Sequence, residues 1–353
     1  MPPFPPQKPS IKIDREGFFI NSQGLRMSDP EMGRQWLLNL KSPDFEFCQL
    51  EHEGKTILVE AFDKPLVVSQ VSIKGSDLEL ELPYHLKQLA NLSSLSLDAW
   101  DRVHGLTEKD IPFVLSHKAQ AELFNSLDEF SDDSISIGEN KIPTEDFYLE
   151  KDAVSTSQFW TQIYKENPSP GWDMDGPHPA LETILPQLKL LQGRFLVPGC
   201  GKGHDAFALA EAGHIVTGVD FSETALEEAK KKYTHPRLKW LQQDIFDFGQ
   251  SAPQSYDYIF EHTCFCAISP KRRKKLVKVW FDTLAEGGHL LAQFFIHPRR
   301  IGPPFGTSEW ELESLLSPYF DVRYWTRSKV SPGWREGLEL TVYAEKKKGR
   351  SSR

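Results

Sequence analysis

Residues 196–222, LVPGCGKGHDAFALAEAGHIVTGVDFS, carry glycines at 199, 201 and 203 between an apolar run and a helix-like run. An aspartate, Asp220, closes the next apolar run. Glycines where a chain turns out of a strand remove Cβ atoms, so a ligand can approach the backbone and the N-terminus of the helix that follows. A carboxylate at the carboxyl end of the second strand accepts hydrogen bonds from both hydroxyls of a ribose. Such a loop holds a nucleotide-like cofactor. Taken alone, it fits NAD, FAD and S-adenosylmethionine equally.

Three features favour S-adenosylmethionine. The spacing is GxGxG, and His204 stands where a dinucleotide fold places its third glycine. Asp244 closes a third apolar run in QQDIFD, where its side chain and the amide of Ile245 would pair with an adenine edge. The chain after LAEGGHLL is a hairpin, with little left to hold a hydride acceptor. A nicotinamide-dependent (NAD) oxidoreductase and a non-catalytic cofactor-binding partner protein remain as alternative readings.

No other arrangement in this half reads as a nucleophile with its base, or as a metal site. Cys48, Cys200, Cys264 and Cys266 are too few and too scattered for a disulfide framework. Cys264 and Cys266 read as one face of a buried strand, because no second Cys or His pair stands at ligand spacing. KRRKK at 271–275 reads as a solvated face.

These residues need a scaffold. From about 155 strands and helices alternate, as a doubly wound, Rossmann-like α/β sheet requires. Strands are expected at 195–199, 214–220, in LKWLQQDIF, in YDYIFEHTCFCAI and in HLLAQFFIH. A capping box, Ser308-x-x-Glu311, opens a late helix. FDVRYWTRSKV and LELTVYAEKK flank the turn SPGWREG as a terminal antiparallel hairpin, which completes a seven-stranded sheet. The first 131 residues read as a small α+β domain. Hairpins are expected at 45–62 and 66–83, with a helix through Ala119, Leu123 and Leu127 after Pro112. A loose arm carries five prolines in the first ten residues. The polar stretch 132–150 is expected to link this domain to the alternating one at 151–347, with 348–353 as a tail.

The 353 residues, 39% hydrophobic and 26% charged, have a soluble globular composition. A net charge of −9 disfavours nucleic acid and anionic membrane as partners. No stretch approaches about 20 apolar residues, and a cytoplasmic location with a small-molecule substrate is expected. A protein partner would use the N-terminal domain.

Residues 159–346 resemble the thiopurine S-methyltransferase-like family of S-adenosylmethionine-dependent methyltransferases, which includes thiol, halide and thiocyanate methyltransferases. FWTQIYKENPSPGWDMDGPHPAL (159–181), VPGCGKGHDAFALAEAGHIVTGVDFS (197–222), DYIFEHTCFCAISPKRR (257–273) and GPPF (302–305) carry the likeness. It implies methyl transfer to a small soft nucleophile: a thiol, sulfide, halide or thiopurine-like acceptor. It also implies cofactor contacts from Trp160, Trp172, Gly199, Gly201, Gly203, Asp220, Phe221, Asp244, Ile245 and Glu261. On the acceptor side it implies His262, Pro303, Pro304 and Phe305, with His262 the candidate catalytic residue. Glu261-His262 stands where many thiopurine-type members read Asp-Arg. That departure removes a guanidinium suited to a carboxylated or purine acceptor.

Overall fold

The computed structural model of the protein describes residues 10–21, 23–42, 48–98, 100–130, 134–138, 140–143, 149–150, 153–297, 299, 301–328, 330–331 and 335–348. The proline-rich arm at 1–9, part of the turn between the last two strands and the tail from 349 lie outside them. So do parts of the expected linker and the start of the first expected hairpin.

The C-terminal half is built on seven strands: β1 (Arg194–Pro198), β2 (Ile215–Asp220), β3 (Leu238–Gln242), β4 (Tyr256–His262), β5 (Leu284–Phe295), β6 (Phe320–Arg327) and β7 (Glu339–Lys346). Their order in the sheet is β3-β2-β1-β4-β5-β7-β6. The first five run parallel and β7 is antiparallel to both of its neighbours. Leu196, Ile259, Leu290 and Leu340 are fully buried, as strands covered on both faces require. The helices that flank the site and sheet include α1 (Ser157–Glu166), α2 (Pro179–Thr183), α3 (His204–Glu211), α4 (Glu223–Lys232), α5 (Ile245–Ser251), α6 (Arg273–Thr283) and α7 (Glu309–Leu316). Ser222 caps α4 through the amide of Ala225, and Lys230–Lys232 sit in its last turn, where the helix dipole favours cations. Ser308 caps α7 through the amide of Glu311 at 3.2 Å.

Strand order reverses between β2-β1 and β4-β5, so a crevice opens at the carboxyl ends of β1 and β4. That is where the glycine loop emerges.

The N-terminal half has its own core, running from Ile13 to Ile137. Strands at Cys48–His52 and Lys55–Ala61 form the first expected hairpin. Gln70–Lys74 and Asp77–Leu82 form the second, while Leu66–Val68 joins another sheet.

Four expectations change. Residues 112–115, expected to be helical, form a strand paired with Leu66–Val68 and Val103–Leu106, and the helix starts only after Ser116. Phe113, Val114 and Leu115 are aromatic, branched and buried there, and the Ser116 hydroxyl accepts from Ala119 to begin the helix. The stretch expected to be a linker carries strands at Ser134–Ile137 and Asn140–Pro143, and Leu149–Glu150 pairs with Ile301–Gly302. The alternation Ser-Ile-Ser-Ile followed by Gly138 at φ 57° is a hairpin signal, and Ile137 is buried in the N-terminal core. Cys264 and Cys266 lie beyond β4, around a 3₁₀ turn at Phe265–Ala267, rather than on a strand. KRRKK is no solvated face at its centre: Arg273 is fully buried against Glu311 at 2.8 Å, and Arg272 reaches the crevice. Among the described residues no helix is long and apolar enough to cross a membrane.

Candidate active site

A cavity of about 870 Å³ fills the crevice, within the usual range for ligand sites. One end is walled by the glycine loop, Asp220, Phe221, Asp244 and Ile245; the other by His262, Phe295, His297, Arg299, Pro303, Pro304 and Arg335.

At the first end, β1 runs into Gly199 at φ 56°. A Cβ there would lie 2.9 Å from the side chain of Cys264, so glycine is required by the protein's own packing as well as by its backbone. Asp220 at the end of β2 accepts from the amides of Gly201 at 2.9 Å and Ser222 at 2.8 Å. Burial raises its pKa, and the amide bonds oppose that rise. Asp244 caps α5 through the amide of Phe246 at 2.9 Å, with Arg272 3.6 Å away.

An aromatic wall stands beside the loop. Trp172 meets Trp160 edge-on at 5.7 Å and Tyr164 at 6.0 Å. The indole N–H of Trp160 donates to Val154 O, and that of Trp172 to the Tyr164 hydroxyl. Asp173 then ties this segment to the glycine loop through Lys202 at 2.8 Å and His204 at 3.1 Å.

The centre holds a network that sequence spacing does not reveal. His262 Nδ1 is 2.8 Å from Asp205 Oδ2, and Arg335 donates to His262 Nε2 at 3.0 Å. An arginine only donates, so Nε2 accepts and the ring proton lies on Nδ1, facing Asp205. Arg335 also donates to Glu339 at 3.2 Å and to Trp172 O at 3.0 Å. His178 pairs with Glu339 at 2.9 Å, and its ring meets His262 at 4.7 Å. Burial works against ionisation of Glu339, but His178, His262 and Arg335 hold its pKa at about 2. Ligand atoms of His178, His262 and Glu339 lie within 4.8 Å of one another, yet the Arg335 guanidinium bonds to two of these three residues and takes the place of a cation.

Three expected site residues do not line the cavity. The missing Cβ of Gly203 faces Trp240 at 2.2 Å, behind the loop. Glu261 precedes His262 on a strand and so points to the opposite face. There it is buried, accepts from the amide of Phe265 at 3.0 Å and has its pKa pushed up to about 8 by burial. Phe305 is fully buried, its amide donating to Cys266 O at 2.7 Å. Trp160, Trp172, Gly199, Gly201, Asp220, Phe221, Asp244, Ile245, His262, Pro303 and Pro304 all line it. Sequence reading missed Arg335, Asp205, His178 and Glu339. The guanidinium that Glu261-His262 was expected to lack is supplied beside His262 by Arg335, 73 positions further along the chain. Cys200, Cys264 and Cys266 line the cavity as free thiols, each with its pKa raised by burial, Cys266 to about 12.

The Thiopurine S-methyltransferase family profile matches residues 155–348, more than half of the chain. The chain belongs to this family. It is therefore an S-adenosylmethionine-dependent methyltransferase, and the nicotinamide alternative is not favoured. It is 34% identical over 191 residues to a probable thiol methyltransferase 2 of Arabidopsis thaliana, covering 52% of this chain and 83% of that protein. It is 32% identical over 186 residues to thiocyanate methyltransferase 1 of Brassica oleracea, covering 51% and 81%. A solved structure of a Burkholderia thailandensis 1,6-didemethyltoxoflavin-N1-methyltransferase with bound S-adenosylhomocysteine is similar at a TM-score of 0.45 and 20% identity, over 55% of this chain and 88% of that one.

Proposed function

We propose that the protein methylates a small soft nucleophile: a thiol, sulfide, halide, thiocyanate or thiopurine-like acceptor. The observation that carries this reading is the chemistry of the acceptor end. Arg299 and Arg335 line that end of the cavity in a chain whose net charge is −9, and the imidazole at its centre has both nitrogens engaged. Such a site receives an anion and does little to deprotonate one. Soft anions need no base. The names of the thiol and thiocyanate methyltransferases it resembles agree with this.

When bound, S-adenosylmethionine would supply a methyl group activated on a sulfonium, with a neutral thioether as the leaving group. The residues present fit that group. The edge-on cluster of Trp160, Tyr164 and Trp172 offers aromatic surface to a cation. Asp220 is assigned to the ribose, and Asp244 with the Ile245 amide to the adenine. Gly199 and Gly201 give the loop its close approach, and Phe221 adds apolar wall. His262, oriented by Asp205 and Arg335, is a positioning residue at the acceptor, with Pro303 and Pro304 as the far wall. Holding the reactants in line and excluding water is the chief contribution such a site makes. The methyltransferase unit begins near Val154, and the N-terminal unit extends through the strands ending at Pro143.

The test is a screen with methyl-labelled S-adenosylmethionine against small thiols, hydrosulfide, iodide, thiocyanate and a thiopurine, with a catechol and RNA as counter-substrates. Label transfer to the soft acceptors is expected. Transfer only to catechol or RNA refutes the reading.

A further inference from the structure

We propose that His297 binds the methyl acceptor, its Nε2–H donating a hydrogen bond to a soft anion at the end of the cavity beyond β5. The nature of the ligand rests on the function proposed above; the site itself does not.

His297 stands two residues past β5, is 4% exposed and lines the cavity. Its Nδ1 accepts from the backbone amide of Arg299 at 3.3 Å, so the proton of the neutral ring lies on Nε2. That Nε2 is buried without a hydrogen-bond partner. Folding rarely leaves a buried donor unpaired, because its desolvation is then uncompensated. Inside a ligand cavity, the economical explanation is a ligand that accepts from it.

The surroundings select the kind of ligand. Burial, with the charges of Arg273, Arg299 and Lys64, pushes the imidazole pKa down to about 3, so the group remains a neutral donor at ordinary pH. Arg273 is paired with Glu311, so the cation that faces the seat is Arg299, which lines the cavity. The ring of Phe295 lies 4.4 Å from the imidazole and gives the seat an apolar, polarisable side. Thiocyanate, iodide, hydrosulfide and thiolates are weakly hydrated anions that match a single N–H donor beside a cation and an aromatic face. An ammonium would meet a like charge and a donor facing a donor.

The experiment is calorimetric titration of thiocyanate into the protein in the presence of S-adenosylhomocysteine, with wild type, His297→Phe and His297→Gln. Loss of a hydrogen bond to a charged group weakens binding about tenfold or more. That loss is expected for His297→Phe, with unchanged affinity for S-adenosylhomocysteine. His297→Gln keeps an N–H donor and is expected to recover much of the affinity, which separates a lost contact from a misfolded loop. Equal thiocyanate affinity in all three proteins, no thiocyanate binding by wild type, or parallel loss of S-adenosylhomocysteine overturns the proposal. Thiocyanate binding that depends on His297, without methylation of any soft acceptor, supports this site while refuting the proposed function.

Discussion

Arg335 donates to Nε2 of His262 at 3.0 Å, although 73 positions separate the two residues in the chain. The bond occupies the lone pair that a general base would use. With a thiol acceptor, rate should therefore follow ionisation of the substrate. A thiol of pKa near 8.5 gives about a tenfold rise in turnover per pH unit between about pH 6 and 8, while iodide gives a flat profile. His262→Gln should lower turnover with both acceptors and leave both slopes intact. A wild-type thiol profile that levels off well below the thiol pKa, and steepens in this variant, would restore His262 as a base.

Asp220 joins the glycine loop to α4 and is the proposed ribose ligand. A charge-assisted hydrogen bond contributes about 1.5–3 kcal/mol, so Asp220→Ala should weaken S-adenosylhomocysteine binding roughly 10–150-fold. Isothermal titration at fixed ionic strength measures this. Unchanged affinity removes the ribose assignment.

Glu261 makes its own pH signature. Its carboxyl is buried with one oxygen unpartnered, and its pKa is raised from 4.5 to about 8. The native state holds a proton that the unfolded chain releases, so the contribution is complete below about pH 4.5 and is lost as pH rises through about 8. By pH 7 the loss amounts to about 3 kcal/mol at 1.36 kcal/mol per unit. Glu261→Gln should show no such decline, its melting temperature overtaking that of wild type as pH rises from 5 to 8. Parallel melting curves for the two proteins would show that Glu261 ionises normally.

The two halves meet at Trp310. Arg102 lies 3.2 Å over its indole, Trp100 meets it edge-on at 5.4 Å, and its amide donates to Phe62 O at 3.0 Å. Arg15 adds a bidentate pair with Glu313 at 2.6 Å. Cation–π and aromatic-pair contributions together give about 1–3 kcal/mol. Trp310→Ala should destabilise by that amount in urea, and a fragment starting at Val154 should melt below the full chain. A fragment as stable as the full chain would make the seam energetically idle.

The glycine loop, Asp220 and the Ser308 cap are legible because each is local: turn, cap and strand end fall within a few residues of one another. The network around His262 is not. Its members come from Asp205 on α3, His178 before α2 and Arg335 in the last turn, and only the strand order brings them together. No spacing rule connects residues 178, 205, 262 and 335. The hairpin at 134–143 was misread for a different reason: serines and lysine masked a period of two whose apolar phase includes the buried Ile137. Glu261 and Phe305 are expected at the site only through the family resemblance, and strand alternation and close packing turn both away from the cavity.

Three cysteines line the cavity of a methyltransferase proposed here to act on soft nucleophiles, so on that reading rival acceptors stand within its own walls. Only the thiolate reacts readily, and burial keeps all three as thiols. Desolvation thus acts here as protection against self-alkylation. On the proposed function, a substrate that arrives as an anion would differ from these cysteines in its charge state.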